Sequence, residues 1–165
     1  MTQESVFESL LLQIERTQDG EPWFGSAREA ALSGVTAEQA LAHPIAGAPS
    51  IWEEVLHMTA WTGEVTRRLG GAKPGAPLEG DWPAVVDSDE DAWAAACAAL
   101  RVVHRELLDS AKACSPARLG EVIGEVPSPS LGTGTTVAGT LIGLAQHDAY
   151  HVGQLFLLRR ALKVK

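Results

Sequence analysis

Four long stretches of this chain carry apolar residues at three- and four-residue spacing, and this periodicity restricts the fold more than any other feature. The stretches run from about residue 4 to 18, 50 to 69, 88 to 113, and 135 or 136 to 163. Such spacing predicts amphipathic helices, because it places the apolar side chains on one face. No stretch alternates apolar and polar residues, although Val122, Ile123 and Val126 predict a short extended piece. The sequence therefore predicts an all-α fold, a four-helix bundle with long inter-helix loops.

Capping residues and helix breakers predict where the longer helices begin and end. The second helix is expected to begin after Ser50, with Glu53 completing a capping box, and to end at Gly70 and Gly71. Ser88 is the predicted N-cap of the third helix.

A long connection, residues 19–49, separates the first two helices. Two capping boxes, Ser26 to Glu29 and Thr36 to Gln39, predict short helices inside it. Trp23 precedes both. We expect this connection to cross one end of the bundle and to form part of a binding surface.

The length and charge of the chain bound its class. A chain of 165 residues fits one domain, residues 1–165, and is long enough to bury a core without disulfides. Its formal net charge of −8 argues against nucleic acid as a partner, because phosphate backbones are bound by clustered Lys and Arg. It has no apolar run of about 18 residues and no signal-peptide pattern at its start. We therefore expect a cytoplasmic protein that does not bind membranes.

The chain has two cysteines, Cys97 and Cys114, and their spacing predicts neither a disulfide framework nor a metal site. Cys97 lies in an alanine-rich segment, which predicts a small buried thiol. His104 is seven residues further on, and two helical turns separate the pair by about 10 Å. We therefore do not expect a Cys–His nucleophile.

The last long helix carries His147 and His151, which are spaced i and i+4. In a helix the two imidazoles lie about 40° apart on one face, where both can reach a single metal ion. The face is apolar. Its other members are Val137, Thr140, Leu144, Gln154, Leu155 and Leu158. Buried imidazoles need polar partners, and a metal ion supplies them; neighbouring side chains or water would do so in an ordinary core. The pair alone leaves both interpretations open.

His57 is the candidate for a third ligand. It lies in the middle of the second long helix, beside the apolar stripe, with Glu54 and Trp61 on its own face. His43, which precedes a proline, and His104 are predicted to be surface or partly exposed residues. Three neutral imidazoles bind a divalent first-row ion and leave one to three positions open, as catalytic sites do.

These segments resemble the DinB/YfiT-like superfamily. The resemblance rests mainly on residues 50–61, with His57, and on residues 146–154, with His147 and His151; residues 32–40 and 157–160 add to it. It implies a DinB-like four-helix bundle, a homodimer, and a divalent metal ion held by these three histidines. Zinc is the first expectation, with nickel, iron and manganese as alternatives.

The resemblance also implies several functions. The superfamily includes thiol S-transferases that use bacillithiol or mycothiol, a mycothiol-dependent maleylpyruvate isomerase and a few hydrolases. The sequence is therefore interpreted as a metal-dependent thiol S-transferase acting on small electrophiles with a low-molecular-weight thiol co-substrate. A metal-dependent hydrolase, a non-catalytic metal- or ligand-binding stress protein, and a protein with a purely structural metal are the alternatives.

Two further residues near the ligand faces, Glu54 and Gln154, are candidates to hydrogen-bond a ligand or to act as a base. Packing or surface roles are the alternative for both. A di-iron site is not expected, because such bundles need two Glu-x-x-His elements and only Glu54 to His57 has that spacing.

Overall fold

The computed structural model describes residues 3–128 and 131–164. The helices in this part of the chain are α1 (Gln3–Gln18), α2 (Arg28–Leu32), α3 (Ala37–Leu41), α4 (Ile51–Leu69), α5 (Glu90–Ala113) and α6 (Val137–Ala161). A 3₁₀ turn (Pro116–Gly120) and two strands, β1 (Val122–Ser128) and β2 (Thr133–Thr136), separate α5 from α6. The all-α prediction is confirmed, with α1, α4, α5 and α6 as the long helices. None of the described helices is both long enough and apolar enough to cross a membrane.

Two predicted capping boxes are present. Ser50 and Glu53 satisfy each other's free backbone donors at the start of α4, and Thr36 and Gln39 do the same for α3. The predicted capping box that begins at Ser26 is wrong. The N-cap of α2 is Ala27, whose side chain cannot accept a hydrogen bond from the backbone.

The start of α5 was predicted one residue too early. Asp89 is the N-cap, and its side chain accepts a hydrogen bond from the backbone N–H of Ala92. Ser88 and Asp89 are both good N-cap residues, so the sequence did not distinguish them.

The predicted extended piece is one strand of a small antiparallel hairpin. Val122 pairs with Thr136, Ile123 with Thr135, and Ser128 with Thr133, with an irregularity in between. Gly124 has a φ of 83°, a conformation that glycine adopts without strain. The hairpin leads directly into α6, because Thr136 is both the last strand residue and the N-cap of that helix.

Two clusters of apolar side chains form the core, one toward each end of the bundle. The first combines α2 and α3 with the first halves of α4 and α5 and the last part of α6, including Trp52, Trp93 and Leu155. The second combines α1 with the last parts of α4 and α5 and the start of α6, including Ile14, Leu107 and Leu141. Buried polar side chains lie on the helix segments between them: His57, Glu54, Arg28, His104, Asp148 and His151. Burial of these groups requires partners, so this polar layer is where function is expected.

Candidate metal centre

The antiparallel helices α4 and α6 bring the three predicted ligands together. Nε2 of His57 is 3.0 Å from Nε2 of His147. The centroid of the His151 ring is 4.6 Å from that of His57 and 4.3 Å from that of His147. One ligand atom from each of the three rings lies within 4.8 Å of the others. The three imidazoles therefore meet at one point in the polar layer.

A backbone carbonyl fixes the orientation of the His57 ring. Nδ1 of His57 is 2.6 Å from the carbonyl oxygen of Asp81. A carbonyl oxygen only accepts, so Nδ1 carries the proton and Nε2 presents its lone pair to the other histidines. Burial lowers the pKa of His57 and the neighbouring His151 and His147 lower it further, whereas the Asp81 hydrogen bond raises it. The net direction favours the neutral ring, which is the form that binds a cation.

A carboxylate fixes the orientation of the His151 ring. Nδ1 of His151 is 2.5 Å from Oε2 of Glu54, and both side chains are buried. The ring donates from Nδ1 to the carboxylate, which leaves the lone pair on Nε2. A carboxylate in this position orients a metal-binding histidine and raises its basicity. Glu54 was proposed from the sequence to hydrogen-bond one of the metal-binding histidines, and it makes this contact with His151.

The donor set fits a divalent first-row cation. Zinc–nitrogen bonds of about 2.0–2.1 Å in tetrahedral geometry place adjacent nitrogens about 3.3 Å apart. The 3.0 Å between His57 and His147 is close to that value. Nδ1 of His147 is buried and has no hydrogen-bond partner among the described residues, and Oδ1 of Asp148 is 3.9 Å from it. In the part of the chain that the structure describes, no Cys, Asp or Glu joins this group as a further ligand.

Residues of the loop between α4 and α5 cover the centre, and the sequence reasoning missed them. The Trp82 ring stacks on His57, with centroids 4.0 Å apart and an angle of 13° between the planes. Nε1 of Trp61 donates to Oδ1 of Asp81 at 2.6 Å, which fastens the loop to α4. The 19–49 connection was expected to carry the binding surface, but its Trp23 is 96% exposed. The sequence feature that could have indicated them is the pair Asp81 and Trp82 in a loop rich in proline and glycine.

A cavity of about 340 Å³ adjoins the centre on the His147 side. It lies between α4 and α6, where Trp61 and Val65 face Leu144 and Thr140. The side chain of His147 is 28% exposed, whereas His57 and His151 are each 5% exposed. The centre is therefore most open on the His147 side, where the cavity lies.

The other candidates are not part of the histidine group. Gln154 is half-buried on α6, and its role beside the ligands stays a prediction. His43 is exposed, as predicted, and bonds to Glu53 at 2.8 Å. The prediction for His104 is wrong: it is 1% exposed on α5, against which α1 packs, and Arg28 of α2 is close enough to affect its pKa.

A buried ion pair lies next to the centre, because the Asp148 carboxylate is 3.9 Å from Nδ1 of His147. Nη1 of Arg28 is 3.6 Å from Oδ2 of Asp148, the residue that follows His147. Nη2 of Arg28 donates a hydrogen bond to Oε1 of Gln18, and His104 is electrostatically coupled to the ion pair. Asp148 was not singled out from the sequence. A charged residue beside a histidine in an otherwise apolar helix was the signal.

Fold and centre together define the class: a helical bundle with three convergent histidines suited to one divalent cation. The sequence profile of the DinB superfamily matches residues 26–155, which include all three histidines and Glu54. The chain therefore belongs to the DinB superfamily, and the resemblance drawn from its sequence is confirmed. No curated protein and no solved structure matches the chain.

Proposed function

We propose that this protein binds one divalent metal ion through His57, His147 and His151 and transfers a low-molecular-weight thiol to small electrophiles. The observation that carries the proposal is the convergence of three imidazoles beside a cavity, with Glu54 and the Asp81 carbonyl orienting two of the rings. Zinc is the first choice of metal, because neutral nitrogen donors in a small, rigid site suit it.

The cation supplies Lewis acidity, which favours the deprotonated form of a thiol or water in an open coordination position. The chain's own residues prepare the site for it. Asp81 and Glu54 hold His57 and His151 in the tautomer that directs Nε2 inward. Trp82 covers His57 and keeps water from that side of the ring.

The overall reaction requires no residue to be consumed. The thiol sulfur forms a bond with the electrophilic carbon, the leaving group departs with its electron pair, and the thiol proton passes to solvent. The cysteines of the chain are unsuited to attack, because Cys97 and Cys114 are both buried. Burial raises the pKa of Cys97 to about 11, so its thiolate is scarce at neutral pH.

Thiol consumption with a model electrophile tests the proposal. Purified protein containing metal is mixed with a cysteine-based thiol and 1-chloro-2,4-dinitrobenzene, and the thioether is followed by absorbance. We expect rates above the uncatalysed reaction that fall at least tenfold after chelation or in His151→Ala, as expected for loss of a metal ligand. The matched control is His43→Ala, because His43 is exposed and outside the centre.

Equal rates with and without metal contradict the transferase proposal. Hydrolysis of a 4-nitrophenyl ester by the same preparation, lost on chelation, would favour a hydrolase, because water can occupy the same open positions. Tight metal binding without either activity would favour a binding protein.

A further inference from the structure

The cavity between α4 and α6 contains two polar groups that have capacity to bind a ligand. One is a hydroxyl in the second turn of α6, and the other is a guanidinium near the end of α4. Both lie on the faces that carry the histidines, since Thr140 and His147 are seven residues apart on α6. That separation corresponds to about 10 Å along a helix. The positions of these two groups indicate which kind of molecule can bind in the cavity.

The hydroxyl of Thr140 is buried and unsatisfied. Thr140 is 6% exposed, lines the cavity, and its Oγ1 has no hydrogen-bond partner among the described residues. A buried hydroxyl without a partner destabilises the folded state, because it has lost its hydrogen bonds to water. A ligand group that accepts a hydrogen bond from Oγ1 would remove this penalty.

The guanidinium of Arg68 has free donors. Nε donates to Oε1 of Glu64 at 2.9 Å, Nη1 to the carbonyl of Leu131 at 2.7 Å, and Nη2 to the carbonyl of Gly75 at 2.9 Å. Arginine has five N–H groups, so these three hydrogen bonds to described residues leave one N–H group on each terminal nitrogen. A guanidinium with such N–H groups binds a carboxylate through charge-assisted hydrogen bonds.

The charge around Arg68 favours an anion. Glu64 is shared between Arg68 and Arg67, so the three side chains carry a net charge of +1. No acidic side chain lines the cavity itself in the described part of the chain. An anion that enters it therefore meets one cation and no like charge.

The rest of the lining is apolar and leaves room for a ring. Trp61 and Leu144 contribute flat and aliphatic surface, and Gly139 and Gly143 contribute no side chain to the α6 wall. A cavity of 340 Å³ is at the small end of ligand pockets, which span about 300–1,000 Å³. A single-ring molecule has the appropriate size.

We propose that the electrophile bound in this cavity is a small carboxylic acid whose carboxylate contacts Arg68 and Thr140 and whose unsaturated or aromatic body lies against Trp61. The reactive carbon then points toward the centre at His147. The part of this inference that makes the ligand an electrophile rests on the proposed thiol transfer. The binding of a small carboxylate does not depend on it.

Calorimetric titration of the full chain with 4-nitrobenzoate tests the binding step. The neutral 4-nitrobenzamide has nearly the same shape and is the matched ligand. We expect the benzoate to bind about tenfold more tightly than the amide, both in metal-loaded and in chelated protein, as expected for a charge-assisted contact. Binding that disappears on chelation would overturn the proposal, because the carboxylate would then be a metal ligand.

Two variants locate the carboxylate without disturbing the fold. Thr140→Val removes only the hydroxyl, and we expect about fivefold weaker binding together with a higher melting temperature. Gly143→Leu fills the open wall, where a Cβ meets no atom within 4 Å, and we expect binding to be abolished. Gly153→Leu is the control, since Gly153 is an exposed glycine of α6 with equally free space and no contact with the cavity. Unchanged affinity in Thr140→Val and Gly143→Leu would overturn the site.

Thiol transfer to 4-chloro-3-nitrobenzoate and 4-chloro-3-nitrobenzamide then connects binding with reaction. The sulfur bonds to the ring carbon, chloride leaves with the electron pair, and the thiol proton passes to solvent. We expect a lower KM for the benzoate, by about tenfold, and a KM for the benzoate that is about fivefold higher in Thr140→Val than in the parent protein. Binding of 4-nitrobenzoate without any thiol transfer overturns the proposed function alone. Transfer with equal KM values overturns the carboxylate inference alone.

Discussion

Oε2 of Glu54 lies 2.5 Å from Nδ1 of His151, and this contact joins α4 to α6 inside the bundle. Glu54 is three residues before His57, so one turn of α4 supplies both a metal-binding imidazole and the carboxylate that orients another. The Glu-x-x-His spacing therefore serves two ligands of one centre rather than one half of a di-iron site.

Replacement of this carboxylate weakens metal binding. Glu54→Gln retains an oxygen acceptor on a side chain of the same length but loses the negative charge beside Nδ1 of His151. We expect the affinity for zinc to fall about 10- to 100-fold, as measured by competition with a chromogenic chelator.

Glu8→Gln is the control for this substitution, because Glu8 is exposed on α1 and its replacement changes the net charge by the same amount. Unaltered zinc affinity in Glu54→Gln would mean that the carboxylate does not act on the centre.

Removal of the metal lowers the melting temperature but leaves the helices formed. The two apolar clusters lie on either side of the centre and contain most of the buried side chains, so the bundle does not depend on the ion. A ligand at 100 times its dissociation constant adds only about 2.7 kcal/mol to the stability. We expect chelation to lower the melting temperature while the far-ultraviolet circular dichroism spectrum at about 20 °C stays unchanged.

The outcome decides between two interpretations of the centre. Loss of the helical spectrum on chelation would show a structural metal, as in small domains that fold only with zinc. A helical spectrum that survives chelation would fit a catalytic centre, in which the metal has an open coordination position and does not hold the fold together.

The long helices and the histidine trio were predictable because both depend on local spacing. Apolar periodicity and caps such as Ser50 are properties of a few neighbouring residues, and the i, i+4 spacing of His147 and His151 places them on one face in any α-helix. That His57 meets this face was an inference about how two distant helices pack, and the order of the helices along the chain does not determine it.

The residues around the trio were not predictable in the same way. Asp81 and Trp82 reach His57 from a loop, and no periodic pattern states where a loop folds back. His104 was expected near the surface because its neighbours Arg105 and Glu106 are charged. Its burial results from the packing of other helices, including α1, against α5, which sequence spacing does not specify.

Acid destabilises the protein through His104. Burial, and after it the charge of Arg28, lower the pKa of His104 to about 4 against the opposite effects of Asp148 and Glu29. The unfolded chain binds the proton near pH 6.5, so between pH 6.5 and about 4 the unfolded state holds more protons and stability falls as the pH falls. We expect urea unfolding to show a loss of about 2–3 kcal/mol between pH 7.5 and 4.5 from this group.

His104→Leu isolates this contribution. Both ring nitrogens of His104 lack a partner among the described residues, so an apolar side chain of similar size is expected to fit without leaving a new unsatisfied group there. The variant should be less sensitive to acid than the parent protein over the same range. Identical pH profiles for the two proteins would contradict the assignment.

The cysteines take no part in thiol transfer if the metal is the activating group. Cys97 is buried with a pKa of about 11, and Cys114 is buried where its sulfur accepts a hydrogen bond from Arg118. We therefore expect the Cys97→Ala/Cys114→Ala double variant to transfer thiols at a rate within about twofold of the parent, although each lost sulfur destabilises the core. The native protein should react slowly with Ellman's reagent, and the denatured protein should release two equivalents. A rate that falls more than about tenfold with unchanged metal content would instead identify a protein thiol as the nucleophile, because the metal alone would then be insufficient.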